Sequence, residues 1–191
     1  MATQAWAVLL GAYLLGSIPS AYLVGRLVGG VDVREVGDGN LGAKNTYHVL
    51  GLLPGLVVAV ADVGKGFLAA AMARQFDLPE QTAYLAGACA VLGHDFPVLL
   101  RFRGGQGMAA MVGVFAVLFP AQLAISLLIL ATALLISHNW DLSCTIGFAS
   151  LPLLLLYSGA PSGQVLYPVA MLPAIGLRKL MVLRRSRRVA A

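Results

Sequence analysis

The chain has 191 residues, of which 59% are hydrophobic and only 11% charged, with a formal net charge of +5. A soluble domain carries about 25% charged residues, so there is too little polar side chain here to clothe a water-facing surface, and the bilayer is the natural solvent. The positive charge does not point to nucleic acid, because the basic residues cluster at helix ends and in the tail, where lipid headgroups and membrane orientation account for them.

The first apolar run covers residues 6–25 and has no basic leader or cleavage site, so it reads as a transmembrane helix rather than a signal peptide. Gly16-Ser-Ile-Pro19-Ser interrupts it; the proline breaks the helix and leaves carbonyls that neighbouring segments must satisfy. After Arg26 comes the longest polar interval of the chain, residues 37–51, with glycine at 37, 39, 42 and 51 and asparagine, lysine and histidine between. Two readings of this interval stay open. It is a flexible connection, or a loop whose glycines bring backbone N–H groups together against an anion.

A second apolar run at 52–73 holds Asp62 and Lys65, three apart and so on one helical face. Charges in a membrane helix are costly unless paired, wet or near an end, which marks the pair as part of a site or as helix–helix glue. A short connection at 77–80 leads to a third span at 82–92, followed by Gly93-His94-Asp95-Phe96-Pro97 and then Gly104-Gly-Gln-Gly107. The apolar stretch from Met108 to about residue 136 is too long for one span of about 20 residues, and a turn at Pro120 divides it in two. The polar interval 137–143 precedes a sixth span to residue 157, and a seventh covers about 165–183 before the basic tail at 184–188. Cys89 and Cys144 have no ligand partner at a recognisable spacing and read as packed thiols.

The expected fold is therefore all-α: one polytopic domain over 1–191 with seven transmembrane helices, some short or broken. Seven spans put the termini on opposite sides. Arg26, Arg34, Lys44, Arg101, Arg103 and the tail then share one side, leaving only Arg74 across the membrane. The positive-inside rule makes that side cytoplasmic and the N-terminus external. His48, His94 and His138 and both glycine-rich loops gather there. A histidine serves as base or donor and backbone N–H groups hold anions, although each motif alone also fits a satisfied helix-end histidine or a tight turn.

Taken together, the motifs resemble the bacterial acyl-phosphate:glycerol-3-phosphate acyltransferases. The matching pieces are Ala12-Tyr-Leu-Leu-Gly-Ser-Ile-Pro19, Gly37-Asp-Gly-Asn-Leu-Gly-Ala-Lys-Asn45, Asp62-Val-Gly-Lys-Gly66, and Leu92-Gly-His-Asp-Phe-Pro-Val98 running to Phe102-Arg-Gly-Gly-Gln-Gly107. They occur in the family's order and cover roughly residues 10–110. The resemblance implies seven membrane helices, no metal or cofactor, and a location in the bacterial cytoplasmic membrane. It also implies transfer of an acyl group from acyl phosphate to glycerol 3-phosphate, giving lysophosphatidic acid for phospholipid synthesis. The partners implied are these two small molecules and membrane lipid; nucleic acid and an obligate oligomer are not.

Carried onto this chain, the resemblance makes His94, Asn45 and Lys65 the catalytic candidates. Asp38, Gly39, Asn40, Lys44, His48, Asp62, Arg103, Gly104, Gly105, Gln106, Gly107 and Ser143 become the substrate-binding ones. The chain departs from the family pattern where serine, threonine, arginine and lysine are usual: these positions hold Asp38, Lys44, His48 and Gln106. The retained residues are mostly scaffold, and the changed ones mostly phosphate-handling. Other readings are thus a diverged acyltransferase with another acceptor, or a lipid-binding or transport relative without catalysis. An altered active site would gather Asp38, His48 and Gln106 around His94.

Overall fold

The computed structural model describes residues 2–76 and 78–189. Its helices are α1 (Ala2–Gly16), α2 (Ser20–Gly29), α3 (Ala43–Leu50), α4 (Leu52–Gln75), α5 (Glu80–Asp95), α6 (Met108–Leu118), α7 (Pro120–Ser137), α8 (Trp140–Tyr157) and α9 (Ser162–Val189), with a 3-10 turn at Val98–Leu100. Among the described residues, five stretches are long and apolar enough to cross a bilayer: Ala2–Gly29, Leu52–Gln75, Glu80–Leu100, Pro120–Ser137 and Trp140–Tyr157. Met108–Leu118 and Ser162–Leu177 are shorter apolar helices. The protein is an all-helical, polytopic membrane protein. Asp77 of the expected 77–80 connection and the side chains of the basic tail lie outside the described residues.

The distribution of side chains is what a lipid solvent selects. On α4, Leu52, Leu53, Leu56 and Val60 are exposed while Asp62 and Lys65 are buried. No hydrophobic force drives two such helices together in lipid, so close backbone packing must supply the attraction. Small residues permit it. A Cβ at Gly66 would overlap the carbonyl of Ala110, and one at Gly113 would overlap that of Val63, so α4 and α6 cross backbone to backbone. Gly16 against Ala90 and Gly93 against Tyr13 do the same for α1 and α5.

The chain forms two compact units, Met1–Leu118 with Ala174–Ala191, and Phe119–Pro173. In the second, α7 and α8 pack together across the turn at His138, whose backbone is left-handed (φ 51). Asn139 caps α8 by accepting from Leu142 N at 3.1 Å. The expected polar interval 137–143 is consequently mostly helix, because this cap starts α8 at Trp140. Likewise the polar stretch 37–51 is not one loop: from Ala43 onward it is α3, which ends where Gly51 takes a positive φ of 91.

Candidate active site

Pro19 has no N–H to continue a helix, so the first span breaks between Gly16 and Ser20. The break turns Ile18 O toward α4, where Lys65 Nζ donates to it at 3.1 Å. Nearly one turn earlier, Asp62 Oδ1 lies 2.9 Å from Lys65 Nζ and 3.6 Å from His94 Nδ1. The three side chains are 1%, 5% and 6% exposed respectively for Asp62, Lys65 and His94. Buried charges persist only when paired, and here a carboxylate, an ammonium and an imidazole close on one another. Among the described residues the third N–H of Lys65 has no protein partner.

His94 sits in the last turn of α5, and Tyr13 Oη donates to Phe96 O at 2.8 Å to fix where that helix ends. The chain then doubles back through the 3-10 turn, with Arg101 and Phe102 both left-handed at φ 52 and 60. It returns so that Gly104 N and Gly105 N donate to the carbonyls of Asp95 and His94, each at 3.1 Å. A Cβ at Gly105 would overlap Nε2 of His94, so only glycine lets this strand lie on the imidazole edge. The helix break, Leu41, Asp62, Lys65, His94, Pro97 and the two glycines wall a recess of about 10 Å³. That volume is room for roughly one water molecule.

The first loop is built differently from an open anion cradle. Asn45, 1% exposed, donates through Nδ2 to Val33 O, Val36 O and Asn40 O at 2.8, 3.1 and 3.1 Å, and accepts from Asp38 N at 3.0 Å. Asn40 N donates to Asp38 Oδ1 and Gly39 N to Val36 O. The N–H groups of residues 38, 39 and 40 are therefore spent inside the loop, as those of Gly104 and Gly105 are spent on α5. The Asn45 amide fills the centre of the loop, which is why Gly37 (φ 64) tolerates no Cβ there.

Asp32 braces the loop from the other end. Arg34 Nη2 reaches Asp32 Oδ2 at 2.6 Å and Arg34 Nε reaches Oδ1 at 2.9 Å, with Arg26 3.7 Å away. Both guanidiniums lie over the Tyr22 ring, 5.5 and 5.2 Å from its centroid. The Arg34 hydrogen bonds hold the Asp32 carboxyl below the ordinary carboxylate range, against the opposing effect of burial.

Of the residues expected from the sequence, Asp62, Lys65, His94, Gly104 and Gly105 line the recess. Asn45 and Gly39 belong to the loop scaffold. Asn40 is buried, and its Oδ1 has no hydrogen-bond partner among the described residues. Gly107, left-handed at φ 70, packs on the buried Asp95 carboxylate. Lys44 and Gln106 are half-buried, whereas Asp38, His48 and Arg103 are exposed. Asp38, His48 and Gln106 do not gather on the recess. Ser143, in the second unit, is wholly buried and donates to Asn139 O at 2.7 Å. Sequence reasoning passed over Leu41 and the Asp32–Arg34 brace; the i,i+2 acid–base spacing of the latter was the available signal for it.

A sequence model described as glycerol-3-phosphate acyltransferase matches residues 6–189. The chain belongs to the glycerol-3-phosphate acyltransferase family. It is 41% identical over 176 residues to the glycerol-3-phosphate acyltransferase of Synechococcus sp. (strain CC9902), covering 92% of this chain and 84% of that one. To the protein of the same name from Geobacillus kaustophilus (strain HTA426) it is 46% identical over 134 residues, 68% of each chain. Its fold is similar to crystal structures of PlsY (YgiH), an integral membrane glycerol 3-phosphate acyltransferase. For the glycerol 3-phosphate form the TM-score is 0.87 at 31% identity, covering 97% of this chain and 92% of that one. For the lysophosphatidic acid form it is 0.84 at 30% identity, with the same coverage of 97% and 92%.

Proposed function

We propose that this membrane protein transfers the acyl group of an acyl phosphate to a hydroxyl of glycerol 3-phosphate, releasing inorganic phosphate and lysophosphatidic acid for phospholipid synthesis. The observation that carries the reading is the fold match, over nearly the whole chain, to an enzyme crystallised in its glycerol 3-phosphate and lysophosphatidic acid forms. The retained His94–Asp62–Lys65 cluster at the helix break supports it.

The mixed anhydride is already activated, so the protein mainly aligns two anions and stabilises charge on the carbonyl oxygen. In this reading His94 accepts the hydroxyl proton, the hydroxyl oxygen bonds to the acyl carbon, and the carbon–phosphate oxygen bond breaks with its electron pair on phosphate. The unpartnered N–H of Lys65 is the cationic donor nearest that event, and Asn40 Oδ1 is a buried acceptor for an acceptor-substrate hydroxyl. Asn45 holds the loop rather than a substrate. The recess of about 10 Å³ must widen to admit a glycerol 3-phosphate.

The topology that goes with this reading is one membrane domain of seven spans, with the N-terminus external and the loops at 30–51 and 94–107 cytoplasmic, in keeping with their basic residues. The test is acceptor choice. Purified protein in nanodiscs is given palmitoyl phosphate with glycerol 3-phosphate or glycerol, and glycerol 3-phosphate is expected to be the better acceptor. Gln106→Lys with His48→Arg is expected to lower the KM for glycerol 3-phosphate. Preference for glycerol would show that the changed positions have altered the acceptor.

A further inference from the structure

The turn that joins α5 to the recess wall is held from within and apolar on the outside. Leu100 is buried and packs with Ala21, Val33, Leu41 and Val58. Val98, Leu99 and Phe102 on the same turn are 45%, 71% and 56% exposed. Arg101 and Arg103, on either side of Phe102, are exposed too, and among the described residues neither forms a salt bridge. The turn itself carries no carboxylate. Its backbone is closed as well. The N–H groups of Leu100, Arg101, Phe102 and Arg103 donate to the carbonyls of Pro97, Val98, Pro97 and Leu100, at 3.1, 3.2, 2.9 and 3.2 Å. To make this closure Arg101 and Phe102 hold left-handed angles, φ 52 and 60, a conformation that residues with a Cβ rarely adopt.

These features suit a bilayer boundary better than water. In water, a fixed turn that displays a leucine and a phenylalanine forgoes the gain of burying them. In lipid, the penalty falls instead on unpaired backbone N–H groups, and this turn has paired four in succession. The turn also ends the membrane-length stretch Glu80–Leu100, whose Leu85 and Leu92 are exposed. Apolar surface thus continues from α5 to its tip, and cationic charge begins where that stretch ends. We propose that residues 98–103 form an interfacial anchor with a site for an anionic lipid headgroup. Leu99 and Phe102 enter the boundary between headgroups and acyl chains, in the leaflet on the side of the basic loops. Arg101 and Arg103, which flank Phe102, hold the lipid phosphate. A guanidinium offers a phosphate paired N–H donors in a fixed fork, which an ammonium does not. Since Arg103 runs straight into Gly104, the same contact fixes the recess wall against the leaflet. The partner is bulk lipid, so the contact does not depend on the acyl-transfer reading.

Fluorescence quenching tests both parts on the full chain in lipid vesicles. Trp6→Phe with Trp140→Phe removes the two native indoles, and Phe102→Trp then places an indole at the turn. Leu99→Trp repeats the measurement should that variant fold poorly. In phosphatidylcholine vesicles brominated near the top of the acyl chains, the indole is expected to be strongly quenched and shielded from aqueous acrylamide. Emission open to acrylamide and untouched by bromolipid, from a folded variant, would overturn the anchor. For the headgroup, brominated phosphatidylglycerol or brominated phosphatidylcholine is added at the same low mole fraction to unbrominated phosphatidylcholine. One arginine at an anionic surface is worth roughly five-fold in affinity, so phosphatidylglycerol is expected to be preferred by at least about that factor. Arg101→Gln with Arg103→Gln should abolish the preference and leave the depth unchanged, and salt at about 1 M should weaken it. Equal quenching by the two lipids, or a preference that survives the double substitution, would overturn the headgroup site. Inorganic phosphate is expected to displace no more phosphatidylglycerol than chloride does at equal ionic strength; greater displacement would assign the arginines to a soluble anion and overturn the lipid site.

Discussion

Asn45→Ala removes one side chain that four backbone groups depend on. Its amide donates to the carbonyls of Val33, Val36 and Asn40 and accepts from the N–H of Asp38, all between 2.8 and 3.1 Å. The site is closed to water, with Asn45 only 1% exposed, so alanine leaves these groups without a replacement partner. A hydrogen bond contributes about 1 kcal/mol net, and a stranded buried group costs more. Two N–H groups and one carbonyl oxygen are lost, so the loop is destabilised by about 3 kcal/mol or more. At 1.4 kcal/mol per decade that is roughly a 10²-fold rise in the open fraction of the loop. Amide hydrogen exchange in nanodiscs reads this at residues 38–40, whose N–H groups are bonded only inside the loop. Exchange there is expected to quicken by about that factor while α4 and α5 keep their protection. A change of less than about three-fold would refute the account of Asn45 as the loop's internal strut.

Gly105→Ala brings a Cβ onto His94 Nε2 and within 2.6 Å of Leu41 O, at a residue whose φ is not left-handed, so both the imidazole and the Leu41 backbone must shift. Since a misplacement of about 1 Å can cost 10²-fold, transfer should fall by roughly that factor and the melting temperature should fall with it; full activity would contradict the packing. For Asp32, the folded carboxyl is held below its unfolded value by Arg34. Its stabilisation is thus complete above pH of about 4 and is lost as pH falls through the lower folded value. Asp32→Asn should therefore lower the melting temperature near neutrality, with the gap to wild type closing as the medium is acidified. A gap that stays constant down to pH of about 2 would show that the pair is not the source.

Much of this was legible in the chain because membrane physics is a strong filter. Pro19 in an apolar run had to break a helix, and Asp62 with Lys65 on one face of another had to find partners. What periodicity cannot give is which partners. Lys65 satisfies Ile18 O, 47 residues away, and Asp62 meets His94, so the charges tie α4 to the helix break and to α5. The glycine-rich stretches were the least legible. Gly37, Gly104 and Gly105 suggested N–H groups gathered for an anion, but glycine is also what close packing requires. Here the space a Cβ would fill is taken by Asn45, by the His94 carbonyl and by the His94 ring. The eight-residue α3 was hidden within a polar stretch because its buried face, Asn45 and Thr46, is itself polar.

The most direct measurement of the central claim follows both products in one reaction. Purified wild-type protein and a His94→Gln variant are given palmitoyl phosphate and labelled glycerol 3-phosphate, and phosphate and labelled lipid are counted together. The account predicts one lysophosphatidic acid for each phosphate released by the wild type, and a loss of both on His94→Gln in the range of 10²–10⁴-fold, roughly what general acid–base catalysis contributes. Phosphate released without labelled lipid, or transfer undiminished in His94→Gln, would contradict it.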